Sequence, residues 1–248
     1  MLSLVTFNVR TPVVGDGVNY FPYRLKMITD RIRMERPDVI GFQELTQDSY
    51  EAMQALLPEY AFVGAGREVD LSGESTRVAY RPERFHLVVS DQFWLSPTPR
   101  VPGSRYEIQS KCPRVANLLR LYDRETREQF FFLNTHLDHR SDPAREQGLR
   151  QIFDYLAALN AGEDLRVFVT GDFNLQPDSP AYAMIAEYGY TDLTSALKDS
   201  YHGYGTCIGC KIDYILTNRP DRDFALSVWH EEKDGRFLSD HDAVCVKG

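Results

Sequence analysis

The chain has 248 residues, 43% of them apolar and 12% aromatic, and its 28 Lys and Arg against 36 Asp and Glu give a net charge of −8. That apolar content excludes a disordered polymer, and no stretch approaches the roughly 20 apolar residues of a membrane-spanning helix. An acidic balance excludes a protein that coats long nucleic acid with a bulk basic surface.

Short apolar runs and helical patterns then alternate from end to end. Residues 2–7 read as a buried strand. Residues 23–36 carry Leu25, Ile28 and Ile32 at helical spacing, and Pro37 stops the helix. Residues 39–42 are a strand. Thr46 caps a helix bearing Tyr50, Met53, Leu56 and Leu57, which Pro58 ends. Residues 78–80 and 85–89 read as strands of a meander, and 97–111, with three prolines, as a long loop. Residues 115–122 and 129–133 flank a polar turn and form a hairpin. Residues 144–159 place Leu149, Ile152, Phe153, Leu156 and Leu159 on one helical face. A strand at 166–170 comes next, then a helix with Ser179 as cap and Pro180 at its first position. Strands at 212–216, 225–228 and 243–246 complete the pattern. With no repeat and no linker, the expectation is one domain over residues 1–248, of α/β (α+β) class.

Four cysteines are too few for a disulfide scaffold at this length. Cys207 and Cys210 form one CxxC, which could be a redox pair or half a zinc site. A structural zinc site needs four ligands and no second pair exists, so two small residues in a Gly-rich loop is the preferred reading. No secretory signal is visible at residues 2–5, which predicts a cytoplasmic protein.

The chemistry gathers at the ends of the strands. Residues 4–7 run into Asn8, 39–42 into Gln43 and Glu44, 130–133 into Asn134-Thr135-His136-Leu137-Asp138-His139, and 167–170 into Gly171-Asp172-Phe173-Asn174. Asp213 opens one strand, and Ser239-Asp240-His241 precedes the last. Strands that release carboxylates, amides and imidazoles at one end build a polar rim on rigid elements. Oxygen donors without cysteine suit a hard cation, Mg²⁺ or Mn²⁺, and histidines near carboxylates suit proton transfer. HExxH, GxSxG, a P-loop and a strand-borne GxGxxG are all missing. Metal-assisted hydrolysis of an anionic ester, most naturally a phosphoester, remains.

Taken in order, the segments TFN, QE, NTH, GDFN, IDY and SDH, from Thr6 to His241, resemble the endonuclease/exonuclease/phosphatase superfamily, and most nearly a bacterial branch of it. The branch likeness rests on Arg24, on Gly73-Glu74 before a strand ending Tyr80-Arg81, and on the HxDH at 136–139. The resemblance implies a four-layered α/β sandwich of two packed mixed β-sheets flanked by helices. It implies Glu44 as principal Mg²⁺ ligand, Asn8 beside the metal, and Asp240 completing that site. Asp172 would orient and deprotonate the attacking water, and Asn174 would hold that water or a phosphoryl oxygen. His241, oriented by Asp213, would stabilise charge or move a proton. His136, with Glu74 as candidate partner, and Arg114 would contact phosphate. The implied substrate is a phosphorylated small molecule or, alternatively, a nucleic-acid end. A non-catalytic binding protein on the same scaffold ranks below both.

Other positions stay open on sequence. His139 could touch substrate or cap the next helix, and Arg145 could reach the site or cover surface. Tyr20, Phe21, Trp94, Tyr201 and Tyr204 could stack on a substrate, though loop aromatics more often pack on the body. Arg77, Arg81 and Arg114 belong to a basic stretch, 76–127, that could line an anion-binding flank. His86, His202 and His230 are given no role.

Overall fold

A computed structural model describes residues 1–248. The chain begins with β1 (Ser3–Asn8), α1 (Phe21–Glu35), β2 (Val39–Gln43), α2 (Gln47–Leu56), β3 (Ala61–Val63) and β4 (Val78–Tyr80). It continues through β5 (Phe85–Trp94), β6 (Val115–Asp123), β7 (Gln129–His136), α3 (Asp142–Asn160), β8 (Arg166–Asp172) and α4 (Pro180–Glu187). It ends with β9 (Thr191–Asp192), β10 (Asp213–Thr217), β11 (Ala225–Trp229), the short pair β12 (Glu232–Lys233) and β13 (Arg236–Phe237), and β14 (Ala243–Lys247).

Two six-stranded mixed sheets result, ordered β11-β14-β1-β2-β4-β3 and β5-β6-β7-β8-β10-β9. Each contains one parallel pair bridged by a helix: β1–α1–β2 in the first and β7–α3–β8 in the second. Parallel neighbours need such a crossover, whereas the remaining pairs are antiparallel, and β6 and β7 are joined by a short turn.

Period-two alternation decides the layering. In β1, Val5 and Phe7 join Ile28, Ile32 and Met53 of the α1/α2 layer, while Leu4 faces the other way. In β8, Val167 and Val169 pack on Leu149, Ile152 and Phe153 of α3, while Phe168 faces the other way. The inward side chains meet in a third cluster, where Leu4, Val39, Val78 and Val246 of the first sheet touch Phe130, Phe132, Phe168 and Ile215 of the second. Three apolar interfaces therefore separate four layers, helix–sheet–sheet–helix. Each fully buried Leu or Phe among them contributes on the order of 1.5–3 kcal/mol.

Toward the carboxyl ends of the parallel strands, the same inward register becomes polar. Gln43 donates to Thr6 Oγ1 at 3.0 Å and to Asn134 Oδ1 at 2.7 Å, and Thr170 Oγ1 reaches Asn134 Oδ1 at 3.1 Å. Gly41 makes room for this layer, since a Cβ there would lie 2.5 Å from Asn134 Oδ1 and 2.6 Å from Thr170 Oγ1. At the opposite end of the sandwich, buried Arg84 donates to Asp38 at 2.8 Å and to Asp123 at 2.7 Å, tying one sheet to the other.

The predicted elements all form, with shifted ends. α1 starts at Phe21 because Pro22 occupies its first turn, where a missing N–H costs nothing, and it closes on Arg36 in the left-handed region ahead of Pro37. β5 runs five residues past 89 through an irregularity between Leu87 and Val89. β3, β9, β12 and β13 are additions to the expected set, being two or three residues long and too short to display a period. No helix is long and apolar enough to cross a membrane.

Candidate active site

The four parallel strands end side by side. Asn8 closes β1, Glu44 comes directly after β2, and the last residues of β7 and β8 are His136 and Asp172, paired in register. Asp213 lies opposite Asp172 at the start of β10, and Asp240 and His241 precede β14. These strand ends surround one cleft of about 730 Å³. Of the twelve residues picked out from the sequence, ten line it, and Asn8 and Asp213 sit directly behind.

Asp172 is the centre. Its Oδ2 accepts from Asn8 Nδ2 at 3.0 Å and lies 3.5 Å from His136 Nε2 and 3.8 Å from His241 Nε2. Its Oδ1 accepts the backbone N–H of Asn174 at 2.9 Å. Gly171 brings the strand this close to β7, because a Cβ there would stand 2.2 Å from the Thr135 carbonyl oxygen and its φ is +154°. Burial, then the charge of Asp213, raises the Asp172 carboxyl to about 7.

Behind His241, Asp213 Oδ2 lies 2.8 Å from Nδ1 and also accepts from Ser200 Oγ at 2.7 Å. Burial alone would lower the His241 pKa. Asp213, by charge and hydrogen bond, and Asp172 and Asp240 outweigh it and lift the imidazole to about 10. His136 goes the opposite way: burial, then Arg114, Arg67 and His241, push it well below its ordinary value. The cleft thus holds one cationic and one neutral imidazole on either side of Asp172.

Glu44 Oε1 accepts from Asn8 Nδ2 at 3.0 Å and Oε2 from the Thr11 N–H at 2.8 Å. Asn8 therefore holds carboxylates of both sheets at once. Its oxygen accepts the Arg10 N–H at 3.0 Å, so it orients the acidic groups from behind instead of facing the cleft. Asp240 is raised by burial and, among the charges around it, by repulsion from Glu44. Two acidic side chains repelling each other at a cleft, with an all-oxygen donor set, fit a hard divalent cation that would relieve the repulsion. Asp172, Asp213 and His241 also bring ligand atoms within 4.8 Å of one another. There Asp213 and His241 already share a hydrogen bond at 2.8 Å, whereas Asp172 stands 3.8 Å from the imidazole.

The opposite wall is basic. Arg114 is buried, and its Nε and Nη1 have no hydrogen-bond partner, while Nη2 lies 3.0 Å from His139 Nδ1. His139 does not cap α3, a task done by Ser141. Arg145 is buried and donates to the Asp138 carbonyl at 2.7 Å, so it belongs to the wall and not to the outer surface. Glu74 pairs with Arg67 at 2.6 Å and makes no hydrogen bond to His136, which corrects the expected pairing. Asn174, at φ +50°, spends its side-chain N–H on the Leu137 carbonyl at 3.2 Å.

Sequence reasoning missed Arg67, Arg10, Gln176, Asp178 and Ser179 as lining residues. They sit on irregular loops, where no strand period points to a face. Arg77 and Arg81 do not join the basic wall. Arg77 stacks on Tyr50 at 3.8 Å and donates to Gln47, and Arg81 pairs with Asp38 at the far end. Of the loop aromatics only Tyr201 lines the cleft, packed edge-on against His241 at 4.9 Å. Trp94 and Phe21 are buried, Tyr20 packs on Tyr23, and Tyr204 on Phe237. The cysteines are free thiols, and neither cluster of candidate metal ligands contains one.

Known proteins share this architecture. The sequence model of the Endonuclease/Exonuclease/phosphatase family matches residues 5–241. No curated protein matches the chain. Among solved structures, an endonuclease/exonuclease/phosphatase from Bacteroides vulgatus is 28% identical, with a TM-score of 0.91 over 99% of this chain and 97% of that one. A mannosyl-6-phosphatase from Bacteroides thetaiotaomicron is 25% identical, with a TM-score of 0.89 over 100% of this chain and 99% of that one. TDP2 of D. rerio, complexed with a single-strand DNA product, shares the fold at 19% identity, a TM-score of 0.76, and coverage of 99% and 97%. The chain belongs to the endonuclease/exonuclease/phosphatase family, whose members are hydrolases acting on phosphoesters.

Proposed function

We propose that this family member is a divalent-metal-dependent phosphomonoesterase acting on a small, hydroxyl-rich phosphate such as a sugar phosphate. The observation that carries the reading is the convergence on Asp172 of Asn8, a neutral His136 and a cationic His241 backed by Asp213. That set activates water on one side and offsets charge on the other.

Asp172 Oδ2 holds the attacking water and takes its proton, while Asn174 N–H keeps Oδ1 fixed. The water oxygen bonds to phosphorus as the bond to the leaving oxygen breaks, and the departing alkoxide takes a proton from solvent to become the alcohol. His241 Nε2–H donates to a phosphoryl oxygen as negative charge accumulates, and Asp213 keeps the ring proton on Nδ1 and the ring in place. Arg114 draws the phosphate toward the basic wall with Nη1, a donor that lacks a hydrogen-bond partner. Glu44 and Asp240 would hold a Mg²⁺ or Mn²⁺ ion, which would supply Lewis-acid charge neutralisation.

Substrate size and polarity are set by the lining. Asn174, Gln176, Asp178, Ser179 and Asp142 offer hydrogen bonds to hydroxyls, and one aromatic ring, Tyr201, is at hand. A base-stacking platform for nucleic acid would need more. The similar mannosyl-6-phosphatase supports the sugar-phosphate class. The test is phosphate release from sugar phosphates, inositol phosphates, nucleotides and short oligonucleotides with Mg²⁺ or Mn²⁺. Turnover of a hexose phosphate, lost with EDTA and in Glu44→Gln, is expected. Cleavage of internal oligonucleotide linkages with no monoester turnover would overturn the monoesterase reading.

A further inference from the structure

Outside the cleft, two histidines and a carboxylate come together. His230 lies just past β11 and Asp242 precedes β14, the two strands pairing up to Trp229↔Ala243, so both side chains leave rigid, adjacent sheet ends. His202 arrives from the segment after Ser200, fixed by its backbone N–H to the Asp240 carbonyl at 2.9 Å. His230 Nδ1 lies 2.7 Å and His202 Nε2 3.4 Å from the same oxygen, Asp242 Oδ1. All the ligand atoms fall within 4.8 Å of one another. None of the three residues lines the cleft.

We propose that His202, His230 and Asp242 form a second, separate metal site that takes a borderline transition-metal ion of the Zn²⁺ kind. Two nitrogens and one oxygen are the donor set such an ion prefers and one that Mg²⁺ does not. Ligands at about 2.0–2.1 Å in tetrahedral array stand roughly 3.4 Å apart. The His202–Asp242 spacing of 3.4 Å already meets this, and the 2.7 Å His230–Asp242 hydrogen bond is what the ion replaces. The Asp242 side chain is only 9% exposed and that of His230 is 54%, so the carboxylate is held in the fold while the approach stays open for ion and water. Phe237 walls the site, its ring 5.2 Å from His202 and 6.1 Å from His230. His202 Nδ1 accepts the Gly205 N–H at 3.2 Å. Coordination through Nε2 moves the ring proton to Nδ1 and gives up that single bond on a surface turn.

Thermal unfolding of the full chain with ZnCl₂ or MgCl₂ tests this, with Glu44→Gln as the background that disables the cation position in the cleft. A Tm rise with ZnCl₂ and not with MgCl₂ is expected in that background, since a ligand that binds only the folded state stabilises it. His230→Ala and, independently, His202→Gln should each weaken Zn²⁺ binding by at least about tenfold in a calorimetric titration, as a site with a ligand removed does. No Zn²⁺-dependent rise in the Glu44→Gln protein would overturn the site. So would an unchanged Zn²⁺ affinity in either folded histidine variant, which would mark the trio as a plain His–Asp–His hydrogen-bond clasp.

Discussion

At the scale of single residues, the cleft is a set of opposed protonation states. As the proposed base, Asp172 acts only when deprotonated, and burial with Asp213 raises its carboxyl to about 7. As the proposed donor, His241 acts only when protonated, and its acidic neighbours lift it to about 10. kcat/KM should therefore climb as pH rises through the Asp172 transition and fall as pH approaches 10, a bell read from initial rates at low substrate. Raising Mg²⁺ should draw the acid limb to lower pH, because a nearby cation favours the carboxylate. Asp172→Asn should cost on the order of 10²–10⁴ in rate with its melting temperature undiminished, since a buried charge is removed. His241→Gln should erase the alkaline limb, and a limb that persists would assign it elsewhere. The residues at strand ends were legible in the sequence because a polar residue after an apolar run stands out. Arg67 and the true partner of Glu74 were not, because pairing across loops leaves no periodic trace.

Among the elements, the βαβ units do the positioning. Each parallel pair delivers its carboxyl ends to the same edge, and the inward register that carries Leu4 into the core also carries Asn8 to Glu44 and Asp172. Every strand that feeds the site could be predicted from its apolar run. The polar layer beneath could not: Gln43 and Asn134 read as motif letters but bond to each other across the sheets as a floor. Gly41 belongs to that floor. Gly41→Ala forces a methyl group to 2.5 Å from Asn134 Oδ1 and should destabilise by about 1–3 kcal/mol, the usual range for overpacking. Chemical denaturation measures this, and a neutral result would mean that the two sheets can part without loss.

For the whole molecule, the two sheets are joined by polar contacts at both ends and by apolar side chains between. At the end away from the cleft, the Arg84 guanidinium is shared by Asp38 and Asp123 in a setting where all three are buried. Arg84→Ala leaves buried Asp123 without its cation and Asp38 with Arg81 alone, and should cost about 3–5 kcal/mol, as breaking one partner of a buried pair does. It should leave KM unchanged if the folded fraction is held constant, and a KM shift would mean that the far end steers the cleft. The overall charge of −8 says little about this arrangement, because basic and acidic walls face each other inside one cleft. Four layers were implied by family resemblance; the apolar runs alone reached only as far as an α/β class.

The strand order carries a consequence for biosynthesis. β14 lies between β11 and β1, with Ser3 opposite Lys247, and Asp240 and His241 come just before it. A chain still emerging from the ribosome keeps the β1 edge bare until residue 247 is free of the exit tunnel. During that interval it presents an unpaired edge of the kind that recruits foreign strands. It also lacks two groups of the proposed catalytic set, so the proposed activity waits until Asp240 and His241 are free as well.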